Sequence, residues 1–454
     1  MTIIWARSAL LDTGWASNVR IEVNAGGTID SIIAGQKPEG YQVGMLLPAP
    51  ANAHSHAFQR AMAGLTERRG PDPSDSFWTW RQLMFRFLDK LTPADVEGIA
   101  AFVQMEMLEA GYAANVEFHY LHHQPGGAPY NNIAEMSERI AAAAALTGIG
   151  LTLLPVHYEF GGCDGRPLGP GQVRFGNTFE RFSRLHEHAE NALKMLPDDC
   201  LLGVAPHSLR AVALQDIKAV SQLAGSGPIH MHLSEQAAEV DEVLAHYGAR
   251  PIEVFLEHCE ASAKWCLIHC IQMLTSETTA LAGTGATAGI CPITEASLGD
   301  GIFNATGWIS AGGTLAIGSD SNIRISLTEE LRALEYSQRL RDHSRAALAT
   351  NAQSTGRRLI ELTARGGAAA AARNSGALAV GRLADLLAID DNHTDLIGRS
   401  GDTLLDSYIF TADDHLVTDV WSAGRHMVRD GAHIARQQIA DRYRAIMSAL
   451  GDAL

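Results

Sequence analysis

Two histidines one residue apart, His54 and His56 in "NAHSHAFQRAMAG", follow the apolar run "MLLPAPA". Alternate residues of an extended strand share a face, so both imidazoles can reach one point. That is metal-ligand spacing, although a bare His-x-His marks a solvated loop more often than a site. Further ligand-capable residues close other short apolar runs: His230, His232 and Glu235 in "PIHMHLSEQ", His269 in "CLIHC" and Asp320 in "LAIGSD". Singly, each has a structural reading. His269 fits a hydrogen-bonded core histidine, and Asp320 fits a helix N-cap, since "SDS" is a good start signal. Repeated at the ends of so many β-like runs, they argue jointly for one site. The same spacing at His186 and His188 sits in the charged helical segment "LHEHAE". There positions i and i+2 face apart, so these two read as helix surface. His122 and His123 read as loop residues.

The elements that must position these groups alternate in type. From about Leu46, β-like runs ("NVEFHYLH", "IGLTLLPVHY", "CLLGVAPHS", "TLAIGSD") alternate with helical stretches such as "PADVEGIAAFVQMEMLEAGY". Repeated βα units predict a parallel sheet, and this many in succession a (β/α)8 barrel, whose strand ends converge on one mouth. The first 45 residues instead read as β-hairpins ("NVRIEV", "NAGG", "IDSIIAG"), and short strands return in "GALAVGRLADLLAID" and "VTDVWSAGRHMVRDG". The expectation is an α/β fold. A TIM-like barrel over 47–375 carries a small β-sandwich domain built from both chain ends, 1–46 and 376–454, with a terminal helix.

Composition narrows the partners. The chain has 454 residues, 46% apolar and 19% charged, which suits a well-cored globular enzyme. A formal net charge of −16 argues against nucleic acid or anionic membrane as partner. It leaves room for a small anion, because screening over about 8 Å puts local arginines in control of a pocket. No run approaches the roughly 18 apolar residues of a membrane span, and "MTIIWARSALLDTGW" lacks the apolar core of a signal peptide. A soluble, cytoplasmic protein is expected. The six cysteines (Cys163, Cys200, Cys259, Cys266, Cys270, Cys291) contain no C-x-x-C pair. Reduced thiols are expected, rather than disulfides or a cysteine zinc site.

"HSH", "HLSE", "IHC" and "GSDS", in this order, resemble the amidohydrolase superfamily. The longer stretches "HSHAFQRAMAG", "DSFWTWRQLM", "EFHYLHH", "PHSLRAV" and "TEASLGDGIF" resemble its formimidoylglutamate deiminase family, the N-formimino-L-glutamate iminohydrolases of histidine degradation. The resemblance implies one divalent metal held by His54, His56, His232 and Asp320. Zinc is the first expectation, and Fe²⁺, Mn²⁺ or Ni²⁺ could occupy such a site. Dinuclear members bridge their metals with a lysine, and none stands in "LTLLPVHY" or "CLLGVAPHS". It further implies Glu235, His269 and Asp320 as catalytic groups. Glu235 would protonate the leaving nitrogen, while Asp320 and His269 take a proton from water and orient it. Gln59, Arg81, Tyr120, His207 and Arg210 would bind substrate, the two arginines matching two carboxylates. The implied reaction is hydrolytic deimination of N-formimino-L-glutamate to N-formyl-L-glutamate and ammonia, by a homodimer.

Rival readings are a purine-type deaminase of the same fold, a non-catalytic barrel scaffold and a zinc store or sensor. The arginines speak against the first, all four ligands with Glu235 and His269 against the second, and Glu235 with the arginines against the third. Departures from the family pattern are Ala49 between Pro48 and Pro50, Cys270 with the following "IQM", and Asn322 and Arg324 after Asp320. Cys270 reads as a small buried thiol. Phe77, Trp78 and Trp80 read as a packed lid or subunit contact.

Overall fold

Eight apolar runs become parallel strands, labelled β1 to β8. They are β1 (Ala51–Ser55), β2 (Ala114–His119), β3 (Gly150–His157), β4 in two pieces (Leu201–Leu202 and Ala205–Pro206), β5 (Ile229–Leu233), β6 (Trp265–His269), β7 (Thr287–Ile290) and β8 (Thr314–Ile317). The structure, a computed structural model, describes residues 1–67 and 77–451, without the side chains of 77–82. Strands β1, β2, β3, β5, β6 and β7 are buried along their whole length. Helices cover their outer face, which is why they read as continuous apolar runs rather than alternating ones. Parallel ladders join β1 through β4 and β5 through β8. Single parallel bridges, Val204 with Ile229 and Ser55 with Asp320, close the ring.

Local signals explain the covering helices. Thr92 and Asp95 form a reciprocal capping box that opens helix Pro93–Glu109. The Ala-rich helix Thr355–Ala370 lies hard against the barrel. A Cβ at Gly366 would come within 1.7 Å of the Leu315 carbonyl oxygen, so only glycine permits that approach.

The two chain ends meet as expected. Leu386–Ile389 runs antiparallel to Tyr41–Pro48, which itself lies parallel to Thr2–Leu11. Together with the neighbouring hairpins they make one eight-stranded sheet around its own apolar cluster, which includes Ile4, Ile21, Leu46, Leu386 and Trp421. The terminal helix Arg436–Gly451 turns away from that sheet and packs on the barrel helix Pro93–Glu109. Tyr443 stacks on Phe102 with centroids 3.9 Å apart, and Arg442 pairs with Glu97 at 2.6 Å.

A buried ionic cluster ties sheet to barrel. Arg373 forks onto both oxygens of Asp385 at 2.7 and 2.9 Å and reaches Asp199 at 2.7 Å, and Asp199 also accepts from Arg425. Removing one member of a buried set leaves an uncompensated charge, which costs about 3–5 kcal/mol. Arg373→Ala should therefore lower the unfolding free energy by that amount, read as a lower urea midpoint at unchanged slope. An unmoved midpoint would show that the cluster contributes nothing to holding the domains together.

Candidate functional site: a metal-ligand set at the barrel mouth

The four expected ligands converge although they come from three strands. Asp320 Oδ1 lies 3.5 Å from His54 Nε2 and 3.3 Å from His56 Nε2, and His232 Nε2 lies 3.1 Å from His54 Nε2. Backbone stitching holds Asp320 beside β1: its N–H donates to the His54 carbonyl and its carbonyl accepts from His56 N–H, both at 2.9 Å. Asn322 locks this from behind, donating through Nδ2 to Ser55 Oγ at 3.1 Å and the His56 carbonyl at 3.2 Å. Arg324 pairs at the surface with Glu329. Among the described residues, neither Asn322 nor Arg324 lines the cavity.

The protonation states suit a cation. His56 Nδ1–H donates to the Phe118 carbonyl at 2.9 Å, which turns a bare Nε2 lone pair toward the centre. Burial drives the His54 pKa down to about 3 and pushes those of His56 and His232 down as well, so the imidazoles are neutral. Burial opposes the Asp320 charge, but pairing with His54 and the nearby His56 and His269 hold it below the usual carboxylate range. Three neutral imidazoles and one ionised carboxylate around a point fit a four-coordinate divalent cation, zinc before the others.

Beside this set stand the groups for proton work. His269 Nδ1 pairs with Glu295 Oε1 at 3.1 Å. Its Nε2 lies 3.8 Å from Glu235 Oε1 and 3.9 Å from Asp320 Oδ2. Burial works against the imidazolium, but Glu235, Glu295 and Asp320 outweigh it and raise the pKa to about 10. Burial is also the main influence on Glu235 and raises its pKa, against the pull of His269 and Arg210. The Glu239 carboxylate accepts the N–H of Ser234 at 3.1 Å and of Glu235 at 3.0 Å. Ser234, His269, Cys270, Asp320 and Asn322 all have positive φ. Such backbone strain, gathered at one end of the barrel, is typical of functional sites.

The cavity over this centre is lined by Gln59, Tyr120, His207 and Arg210, all expected, along with Tyr158 and Phe175. Gln59 Nε2 donates to the Tyr120 hydroxyl at 2.7 Å, and Met84 Sδ lies 3.6 Å from that hydroxyl. His207 Nδ1 pairs with Ser208 Oγ at 3.0 Å. Arg210 keeps a buried Nε that meets no hydrogen-bond partner among the described residues. Arg81 belongs to helix Phe77–Leu88, but its side chain, like those of Phe77, Trp78 and Trp80, lies outside the described residues. Cys270 is a buried thiol, as expected. His122 and His123 are buried too, not solvated: they pair with the carbonyls of Val156 and Gly176 and brace the loop after β2. The sequence reading passed over Glu239 and Glu295. Each opens a helix after a ligand-bearing or mouth-forming strand, where an acidic residue looks like ordinary dipole compensation.

Comparison with known proteins agrees with this geometry. Residues 45–427 match the amidohydrolase family, and residues 1–42 match the formimidoylglutamate deiminase HutF N-terminal domain. The chain belongs to the amidohydrolase family and is a hydrolase of C–N bonds. It is 45% identical to the formimidoylglutamate deiminase of Pseudomonas aeruginosa over 458 residues, covering 100% of both chains. A crystal structure of an amidohydrolase from Brucella melitensis matches with TM-score 0.95 at 45% identity, over 99% of this chain and 100% of that one. An adenosine deaminase from Xanthomonas campestris with bound zinc shares the fold, with TM-score 0.83 at 20% identity, over 99% of this chain and 98% of that one. The 5-methylthioadenosine/S-adenosylhomocysteine deaminase of Shouchella clausii is 24% identical over 85% of this chain and 81% of its own.

Proposed function

We propose that the protein hydrolyses N-formimino-L-glutamate to N-formyl-L-glutamate and ammonia, with one divalent metal, zinc, per chain, as a cytoplasmic homodimer. The observation that carries this is a cavity with two chemistries. A metal-ligand set and a proton donor sit on its floor, and on its wall lies the half-buried cationic fork of Arg210, whose Nε meets no partner among the described residues. A neutral purine offers such a guanidinium only uncharged acceptors, whereas a carboxylate takes two parallel charge-assisted hydrogen bonds from it. The full-length similarity to a formimidoylglutamate deiminase supports the same substrate.

Hydrolysis forms a C–O bond from water to the formimino carbon and breaks that carbon's bond to nitrogen. When bound at His54, His56, His232 and Asp320, the cation supplies a Lewis acid that lowers the pKa of water from about 15.7 toward 7. Asp320, ionised, takes the proton that water gives up. His269 is pinned at Nδ1 by Glu295 and cationic, so it donates through Nε2 to the oxygen that gains charge rather than acting as a base. Glu235, whose burial favours the acid form, delivers its proton to the terminal nitrogen. The proton held by Asp320 passes to the same nitrogen so that it leaves as ammonia, and the oxygen's remaining proton returns to Glu235 as the carbonyl forms. Gln59, Tyr120, His207, Arg81 and Arg210 hold the diacid.

Two measurements test this. Ammonia release is compared on N-formimino-L-glutamate, N-formiminoglycine and adenosine; a protein that turns over adenosine alone refutes the substrate. Arg210→Met should raise KM for the diacid by about 10- to 100-fold with kcat little changed, since a charged hydrogen bond is worth roughly 1.5–3 kcal/mol. An unchanged KM would remove Arg210 from carboxylate binding.

A further inference from the structure

Two features of the sequence have no part in the chemistry above: Gln272 in "IQM" and Asp300 in "TEASLGDGIF". In the structure they meet. Asp300 is buried at 5% exposure, in the turn after helix Pro292–Leu298. Its Oδ1 accepts from Gln236 Nε2, the side chain next to Glu235. Its carbonyl accepts from Gln272 Nε2 at 2.7 Å, and Gln272 N–H donates to the Ser234 carbonyl at 2.9 Å. Asp300 N–H in turn donates to the carbonyl of Glu295, whose side chain holds His269. Hydrogen bonds therefore run from the loop after β7 to the loops after β5 and β6, and they grip the Ser234–Gln236 segment in addition to Glu239.

The packing is built for this contact. Gly301 has φ +126, and a Cβ there would come within 3.0 Å of Ile271 and 3.4 Å of Gln272 Nε2. A larger residue would push the Asp300 turn off the β6 loop. Ser234 is itself held at φ +58, so the backbone carrying Glu235 is strained and needs outside support.

We propose that Asp300, acting through Gln236 and Gln272, is a positioning residue that fixes the Glu235 carboxyl for proton delivery. It touches neither metal ligands nor substrate. Asp300 Oδ2 meets no partner among the described residues, and burial raises the Asp300 pKa to about 8. A neutral carboxyl has the hydrogen-bonding shape of an amide, which makes asparagine its faithful replacement.

This inference rests on the proposed reaction, and the wild-type protein separates the two. If wild type releases no ammonia from N-formimino-L-glutamate, the reaction is wrong, and the variants are then read on whichever substrate wild type does turn over. Asp300→Ala and Gln236→Met each remove one side of the contact. Both should lower kcat by about 10- to 100-fold, the scale on which a displacement near 1 Å acts. KM and bound metal should stay as in wild type. Asp300→Asn keeps the acceptor and should stay within about 3-fold of wild-type kcat, so rescue by the amide separates a hydrogen-bond brace from a charge effect. The double variant should lose no more than either single one. The proposal is overturned if Gln236→Met leaves kcat unchanged, or if Asp300→Asn falls as far as Asp300→Ala. Should Asp300→Ala fail to fold, Gln236→Met and Asp300→Asn decide between the outcomes alone.

Discussion

Glu235→Gln should lower kcat on N-formimino-L-glutamate by about 10³-fold while leaving metal content intact. A positioned acid contributes roughly 10²–10⁴ in rate, and glutamine keeps the size and most hydrogen bonds of the acid but cannot release a proton. The pH profile gives an independent reading. Burial raises the Glu235 pKa above the ordinary value for glutamate. The acid form does the work, so kcat/KM is supported below that raised pKa and lost as pH climbs through it. In Glu235→Gln that alkaline limb should vanish along with most of the rate. A variant within 10-fold of wild type, with the limb in place, would show that another group delivers the proton.

The sequence made the ligands legible because a barrel makes strand ends meet. His54, His56, His232, His269 and Asp320 each close a short apolar run, and βα alternation alone says that such ends share a mouth. The resemblance added Gln59, Tyr120, His207 and Arg210, which line the cavity. What stayed hidden is of another kind. Glu239, Glu295 and Asp300 lie in helix starts and turns, where acidic residues are common for reasons unrelated to a site. Only the fold shows that one cradles the Glu235 backbone, one grips His269 and one reaches Gln236. Asn322, a departure from the family pattern, turns its amide back into β1. The terminal helix was expected, but not its place, because its partner, Pro93–Glu109, lies more than 300 residues away.

His56→Ala should abolish metal binding at stoichiometric concentrations, and activity with it. Three donors remain, but His56 is the imidazole whose orientation the protein controls most firmly, through the Nδ1–H bond to the Phe118 carbonyl. Losing even an outer-shell partner typically costs 10- to 100-fold in affinity, so losing the ligand itself should cost more. Two readouts that need no turnover check this. Elemental analysis should find about one zinc per wild-type chain and almost none in the variant. Wild-type melting should also rise with added zinc, because a ligand at about 1,000 times its Kd stabilises the native state by roughly 4 kcal/mol; the variant should show no such rise. His188→Ala, from the other His-x-His, is the control and should match wild type in both, since His188 lies exposed on a helix. The three histidines converge, with the Asp320 carboxylate beside His54 and His56, while burial keeps the imidazoles neutral. Bringing those buried lone pairs together carries a desolvation cost that a bound cation would offset. Full zinc binding by His56→Ala would therefore place the metal elsewhere and undo the reading of the site from its ligands upward.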